Sequence, residues 1–254
     1  MSENINLKYQ DNFLSNVIFK LDFASVPELF SDIPNDIDNL IKESCPTFNK
    51  RETIEYQAII ENGRKTDRER RFPVFSYIHE EDKNTITVAH NYITIESSKY
   101  RNFTTFKSLI EKIIPTFIST IKIVDLTRIG FRYINQIVFK RGNPFSWSGY
   151  IDSSLTSVVD KFFKKTPHTS RAIGQVILNK DDFNINFTYG TPNSEYPAKI
   201  SRKEFIIDID CYSNFIETNG VISTLGNFNT EAKILFEKSI KSKLREKMGI
   251  INDE

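Results

Sequence analysis

The chain has 254 residues, 39% hydrophobic and 26% charged, the composition of globular material long enough to bury a sizeable core. With 34 basic and 33 acidic side chains the net charge is +1, which argues against a protein that holds nucleic acid by its overall charge. Two distant cysteines, Cys45 and Cys211, in no CxxC pattern, speak against a disulfide framework and a thiolate zinc site. The N-terminal MSENINLKYQDN has no secretory pattern, and no apolar run approaches the ~20 residues that span a bilayer. A cytoplasmic protein that neither enters a membrane nor needs a cofactor is the expectation. Charge is uneven along the chain: residues 1–50 hold four basic and eight acidic side chains, residues 101–150 eight basic and two acidic.

SNVIFKLDF (15–23) alternates Val17, Phe19, Leu21 and Phe23 on one face and predicts a strand. Pro27 opens a helical pattern (Leu29, Ile33, Ile37, Leu40, Ile41) that Pro34 splits and Pro46 ends. TIEYQAII (53–60), RFPVFSYIH (71–79) and TITVAHNYITIES (85–97) predict three strand segments, the last turning at His90 and Asn91. ENGRKTDRER between the first two is expected as a charged loop. Residues 102–121 predict a helix capped by Asn102, with a stripe of Phe106, Leu109, Ile110, Ile113, Phe117 and Ile118.

The same order then returns. A strand over 125–139 precedes a helix over 153–165, strands over 170–179, 183–190 and 203–212, and a closing helix over 230–248 with Phe236, Ile240, Leu244 and Met248 four apart. The fold class read from this is α+β: two β-α-βββ-α pseudo-repeats, 12–121 and 122–254, forming mainly antiparallel sheets with helices packed on one face. The repeat is one of pattern and not of residues. The two stretches are expected as two halves or one continuous domain.

In the strand LTRIGFRYINQIVF (126–139) Ile129, Phe131, Tyr133, Ile137 and Phe139 share one face, and Leu126, Arg128, Gly130, Arg132, Ile134 and Gln136 the other. Two arginines about 13 Å apart with a bare glycine between them admit two readings. They pair with carboxylates of their own chain, Asp208 and Asp210 first, or they form an anion- or partner-binding face. RIGFRYIN is similar to the R-x-G-x-R-Y-x-N signature of a sporadically distributed family of bacterial and archaeal proteins of about this length. SNVIFKLDF and FEKSIKSKLREKM fit that family's ends. The resemblance implies no activity and no catalytic residues; its patchy distribution implies genes of mobile elements or defence islands.

Enzyme signatures are few. HEED (79–82) lacks the second histidine of a zinc-protease helix, and His168 in PHTSR has no matching second H-x-T/S motif. Asp208 and Asp210 share a strand face but bring no third metal ligand, so no metal site is assigned. Arg64, Lys65, Arg68, Arg70 and Arg71 make the densest basic run, with Asp67 and Glu69 among them, and are the only route to nucleic acid. Loop 142–150, with Phe145, Trp147 and Tyr150, and loop 213–229, with Phe215, Ile216, Val221, Ile222 and Leu225, are contact surfaces or satellite clusters. The candidate ligand- or partner-binding residues are Arg128, Gly130, Arg132, Phe145, Trp147, His168, Asp208 and Asp210. The expected function is a non-catalytic binding or regulatory subunit of a small bacterial defence or toxin–antitoxin-like module that recognises a protein partner or another copy of itself. The alternative is an enzyme acting on a nucleotide or phosphate ligand, with Arg128 and Arg132 as an anion clamp.

Overall fold

The structure, a computed structural model, describes residues 7–61, 64–163 and 168–251; for 57–61, 64–66, 215 and 216 it describes the backbone alone. The strands are β1 (Lys8–Tyr9), β2 (Leu14–Phe23), β3 (Thr47–Glu61), β4 (Arg64–His79), β5 (Asn84–Ala89), β6 (Tyr92–Ser97), β7 (Leu126–Phe139), β8 (Ala172–Asn179), β9 (Asn184–Thr191), β10 (Lys203–Ile216) and β11 (Ile250–Ile251). The helices are α1 (Asn35–Lys42), α2 (Phe103–Ile121), α3 (Ser153–Val158), α4 (Val221–Ser239) and α5 (Ser242–Met248), and a π turn, Val159–Phe163, follows α3. Nine strands hydrogen-bond in the order β3-β4-β5-β6-β2-β7-β10-β9-β8, and β1 pairs with β11. The fold is α+β with a mostly antiparallel sheet, as the strand and helix patterns predict. The first half carries four strands after its helix rather than three, because the chain turns back at His90 and Asn91.

The chain divides into two compact units, and the division runs through β2 and β7. One unit holds Ile18–Gly130 and Asn214–Ile222. Its core is the alternating face of β2 (Phe19, Leu21, Phe23) with Phe75 and Tyr77 of β4, Ile86 and Val88 of β5, and Ile93 and Ile95 of β6. Helix α2 covers this face with Phe106, Ile110, Ile113 and Phe117. The Asn102 side chain accepts from the Thr105 N–H at 2.9 Å and caps α2 as its sequence predicts. A short turn over Pro27–Leu29 ends at Phe30 and Pro34 stands at the N-cap of α1, so the predicted split is present.

The other unit holds Met1–Val17, Phe131–Ser213 and Ser223–Glu254. The Gln136 N–H donates to the Phe13 carbonyl, while β10, β9 and β8 continue outward from β7. Phe131 and Ile137 are fully buried, and Phe131 packs edge-on against Tyr133 at 4.7 Å. Register pairs Ile209 with Phe187 and Cys211 with Ile185 on the same face as the α4 side chains Leu225 and Phe228. Cys211 donates to the Phe228 carbonyl at 3.7 Å, and burial pushes its thiol up to about 12.

Three expectations are corrected. Residues 64–71 are not a loop: β3 pairs with β4 out to Glu61 and Arg64, and Asn62 and Gly63 lie outside the described residues. Charged side chains do not break a strand whose faces both meet water. Loop 213–229 is mostly structured: β10 runs to Ile216 and α4 starts at Val221, with Val221, Leu225 and Phe228 buried. The closing helix of 230–248 is broken, because Ile240 leaves it to bridge Ile151 and Lys241 N–H donates to the Tyr150 carbonyl. Among the described residues no helix is long and apolar enough to cross a membrane.

Candidate functional site

A cavity of about 870 Å³ opens in the second unit, lined by residues of α3, the π turn, β8 and β9. Two of the residues that line it are glycines for a steric reason. At Gly190, φ is +132°, and an added Cβ would lie 2.1 Å from the Ala172 carbonyl oxygen. At Gly174 a Cβ would meet the Tyr189 ring at 2.6 Å, so that ring lies across bare backbone. One wall is α3 and the π turn, with Leu155, Val159 and Phe163. Asp152 holds that wall: its carboxylate accepts from the N–H and hydroxyl of Ser154 and pairs with Lys241. Within the wall the Thr156 hydroxyl donates to Asp160 at 2.6 Å. π turns of this kind recur at functional sites.

The opposite wall is aromatic. Trp147 is buried at 4% exposure, its ring tilted against Phe205 at 5.2 Å and Phe139 at 5.7 Å, with its indole N–H donating to the Pro144 carbonyl. The loop 142–150 is therefore folded under, and Phe145 is half-buried at the cavity. Behind this wall the Lys203 ammonium lies 5.3 Å from the Phe139 ring, 5.2 Å from Trp147 and 4.9 Å from Tyr150. Burial and then the Lys243 charge push its pKa down, and the rings supply the attraction that keeps the cation there. The rim carries His168 and Arg171. Arg171 stacks on the Tyr196 ring at 4.2 Å and donates from Nε to the Pro192 carbonyl at 2.9 Å. Among the described residues it has no carboxylate partner.

Of the candidate residues, the structure brings Phe145, Trp147 and His168 onto this cavity and leaves the others elsewhere. Asp208 belongs to the opposite face of the sheet from Ile207 and Ile209. There it receives both ends of the Arg132 fork, Nε at 2.8 Å and Nη2 at 2.6 Å. This is the pairing that the structural reading of Arg132 expects. Asp210 adds a further attraction to Arg132. The Arg128 guanidinium lies over Gly130, its Nη1 3.5 Å from where a Cβ would be, which is ordinary contact. Among the described residues no three His, Cys, Asp or Glu side chains gather into a metal-binding group. Of the basic run, Arg71 bonds Glu69 and Arg70 stands opposite Glu55, while the Arg64 and Lys65 side chains lie outside the described residues.

Sequence reading missed Arg171, Tyr189 and Tyr196, which reach the cavity from separate segments. It also missed a row of three groups in the other unit. Ser25 Oγ lies 2.9 Å from His90 Nδ1, and His90 Nε2 lies 2.9 Å from Glu55 Oε1. The order is that of a hydroxyl, a base and an orienting carboxylate. Here it closes a loop: Val26 N–H donates to the His90 carbonyl, and the ring is packed 3.9 Å from Phe72. None of the three lines the cavity. No protein-family model matches the chain, and no curated protein sequence matches it.

Proposed function

We propose that this chain is a non-catalytic binding protein that takes a segment of a protein partner in the cavity beside β8. The observation that carries the reading is the cavity itself: about 870 Å³, with aliphatic and aromatic walls and one stacked, unpaired arginine at the rim among the described residues. Such a site accepts an apolar side chain and fixes the segment's direction by a carboxylate on the Arg171 fork. The two buried, free thiols suit a reducing cytoplasm. The likeness of RIGFRYIN to a patchily distributed prokaryotic family supports a role in a defence or toxin–antitoxin-like module.

The test is purification from the native context with quantitative mass spectrometry of what co-elutes. Wild type is compared with Arg171→Glu and with Thr169→Trp, which fills the cavity. The expected result is one protein that co-elutes with wild type and is lost from both variants at unchanged melting temperature. An identical set of co-eluting proteins in all three ends the reading.

A further inference from the structure

The sheet has two edges, and they are built differently. Edge strand β3 carries Lys50, Arg51, Glu52 and Glu55, the charges by which proteins keep an open edge from pairing. Edge strand β8, AIGQVILN, has no charge and no proline from Ala172 to Asn179. Its apolar side chains are in water: Ile173 is 44% exposed, Val176 43%, Ile177 62% and Leu178 39%. Val158 at 62% and Phe163 at 46% extend the apolar surface onto the cavity wall. These six side chains offer on the order of 500 Å² per copy before any backbone is counted, against the ~800 Å² per partner of a standard stable interface.

We propose that β8 pairs antiparallel with β8 of a second copy about a two-fold axis at Gln175. An antiparallel pair keeps opposed residues on one face, so a two-fold axis normal to the sheet matches odd positions with odd and even with even. Centred on Gln175, the register sets Ile173 against the partner's Ile177, twice over, with the two Gln175 amides facing each other between them. On the other face it sets Gly174 against the partner's Val176 and Ala172 against the partner's Leu178. Each Gln175 amide keeps its donation to its own Asn186 Oδ1 at 2.8 Å. Every exposed apolar side chain of β8 gains an apolar or backbone neighbour, and no charge is desolvated. A neutral, self-complementary strand is what a second copy of the chain fits.

The pairing also bears on the cavity, and this part rests on the proposed function. Ala172, Ile173 and Gly174 line it on the β8 side. The partner's Leu178 and Val176 lie directly opposite Ala172 and Gly174, on the face shared with Tyr189 and Thr191, so the second copy supplies the wall that a single chain leaves open.

The test needs no ligand. Sedimentation of the full chain at micromolar concentration is expected to give twice the chain mass, and Ile177→Lys to give the monomer with an unchanged circular dichroism spectrum. Gln175→Cys is expected to form a disulfide-linked dimer in air, whereas Ile177→Cys is not; the native Cys45 and Cys211 are buried and do not compete. A monomeric wild type, or a dimer that Ile177→Lys leaves intact, overturns the interface. Crosslinking through Cys at 177 and not at 175 overturns the register and with it the completed cavity wall. These readings are independent of co-elution, so loss of the dimer leaves the partner-binding reading standing, and loss of that reading leaves the dimer.

Discussion

Replacing Arg132 by alanine tests which of its two roles the strand was built for. The Asp208 side chain is 10% exposed and the Arg132 side chain 43%, so the substitution strands a nearly buried carboxylate while removing a half-wet cation. Hydrogen bonds to charged groups contribute roughly 1.5–3 kcal/mol. Solvent at the arginine end screens the pair toward the lower figure, and the carboxylate left without its fork moves the cost up again. A loss of about 2 kcal/mol follows, which for a chain of this length lowers the melting temperature by roughly 4–8 °C. Thermal unfolding of Arg132→Ala, Asp208→Ala and the double variant completes a cycle, and a coupling of about 1–2 kcal/mol is expected between two groups in direct contact. Partner co-elution should not change. A melting temperature equal to wild type together with lost co-elution would refute the structural role and return the arginine to a binding face.

Phe131→Ala removes a fully buried ring from the core face of β7 and should cost about 3–5 kcal/mol; denaturant unfolding that shows a loss under ~1 kcal/mol would mean that the strand faces are reversed. Asp152 responds to acid. The Lys241 side chain, followed by the N–H and hydroxyl of Ser154, holds its carboxyl at about 2, below the ordinary 3.8. A depressed carboxyl stabilises the fold above its unfolded pKa, and that stability disappears as pH falls through the folded value. The melting-temperature gap between wild type and Asp152→Asn is therefore expected to be full at neutral pH and to close between about pH 4 and pH 2; a gap that ignores pH contradicts the cap.

What was legible in the chain was whatever local chemistry decides. Asn102 caps α2 because its side chain reaches a donor three residues on, and the β2 alternation survives into the core because one face of that strand is covered. Residues 64–71 misled because charge density was read as a turn signal, although a hairpin in water tolerates charge on both faces. Gly220, Gly226 and the asparagines of 213–229 hid the stripe Val221, Leu225, Phe228 and Ala232, whose helical spacing is otherwise plain. The break at Ile240 is not local at all: it exists because Ile151 is there to pair with it. Sites follow the same division. Trp147 and His168 stood out by type, but the partners that make a cavity of them, Tyr189 and Arg171, are selected by the β8–β9 register. The Ser25, His90 and Glu55 row spans separations of 65 and 35 residues, and no spacing motif covers such distances.

Two glycines of this chain stand at opposite ends of what descent can alter. Gly226 lies inside α4 with nothing within 4 Å of where a Cβ would go, and alanine there would gain about 0.5–1 kcal/mol from a stiffer unfolded chain. Gly190 has both a left-handed φ and a carbonyl oxygen where its side chain would have to be. Drift can therefore rewrite the first position freely. A change at the second would push β8 away from β9, and the open edge and the cavity lining would be lost in one step.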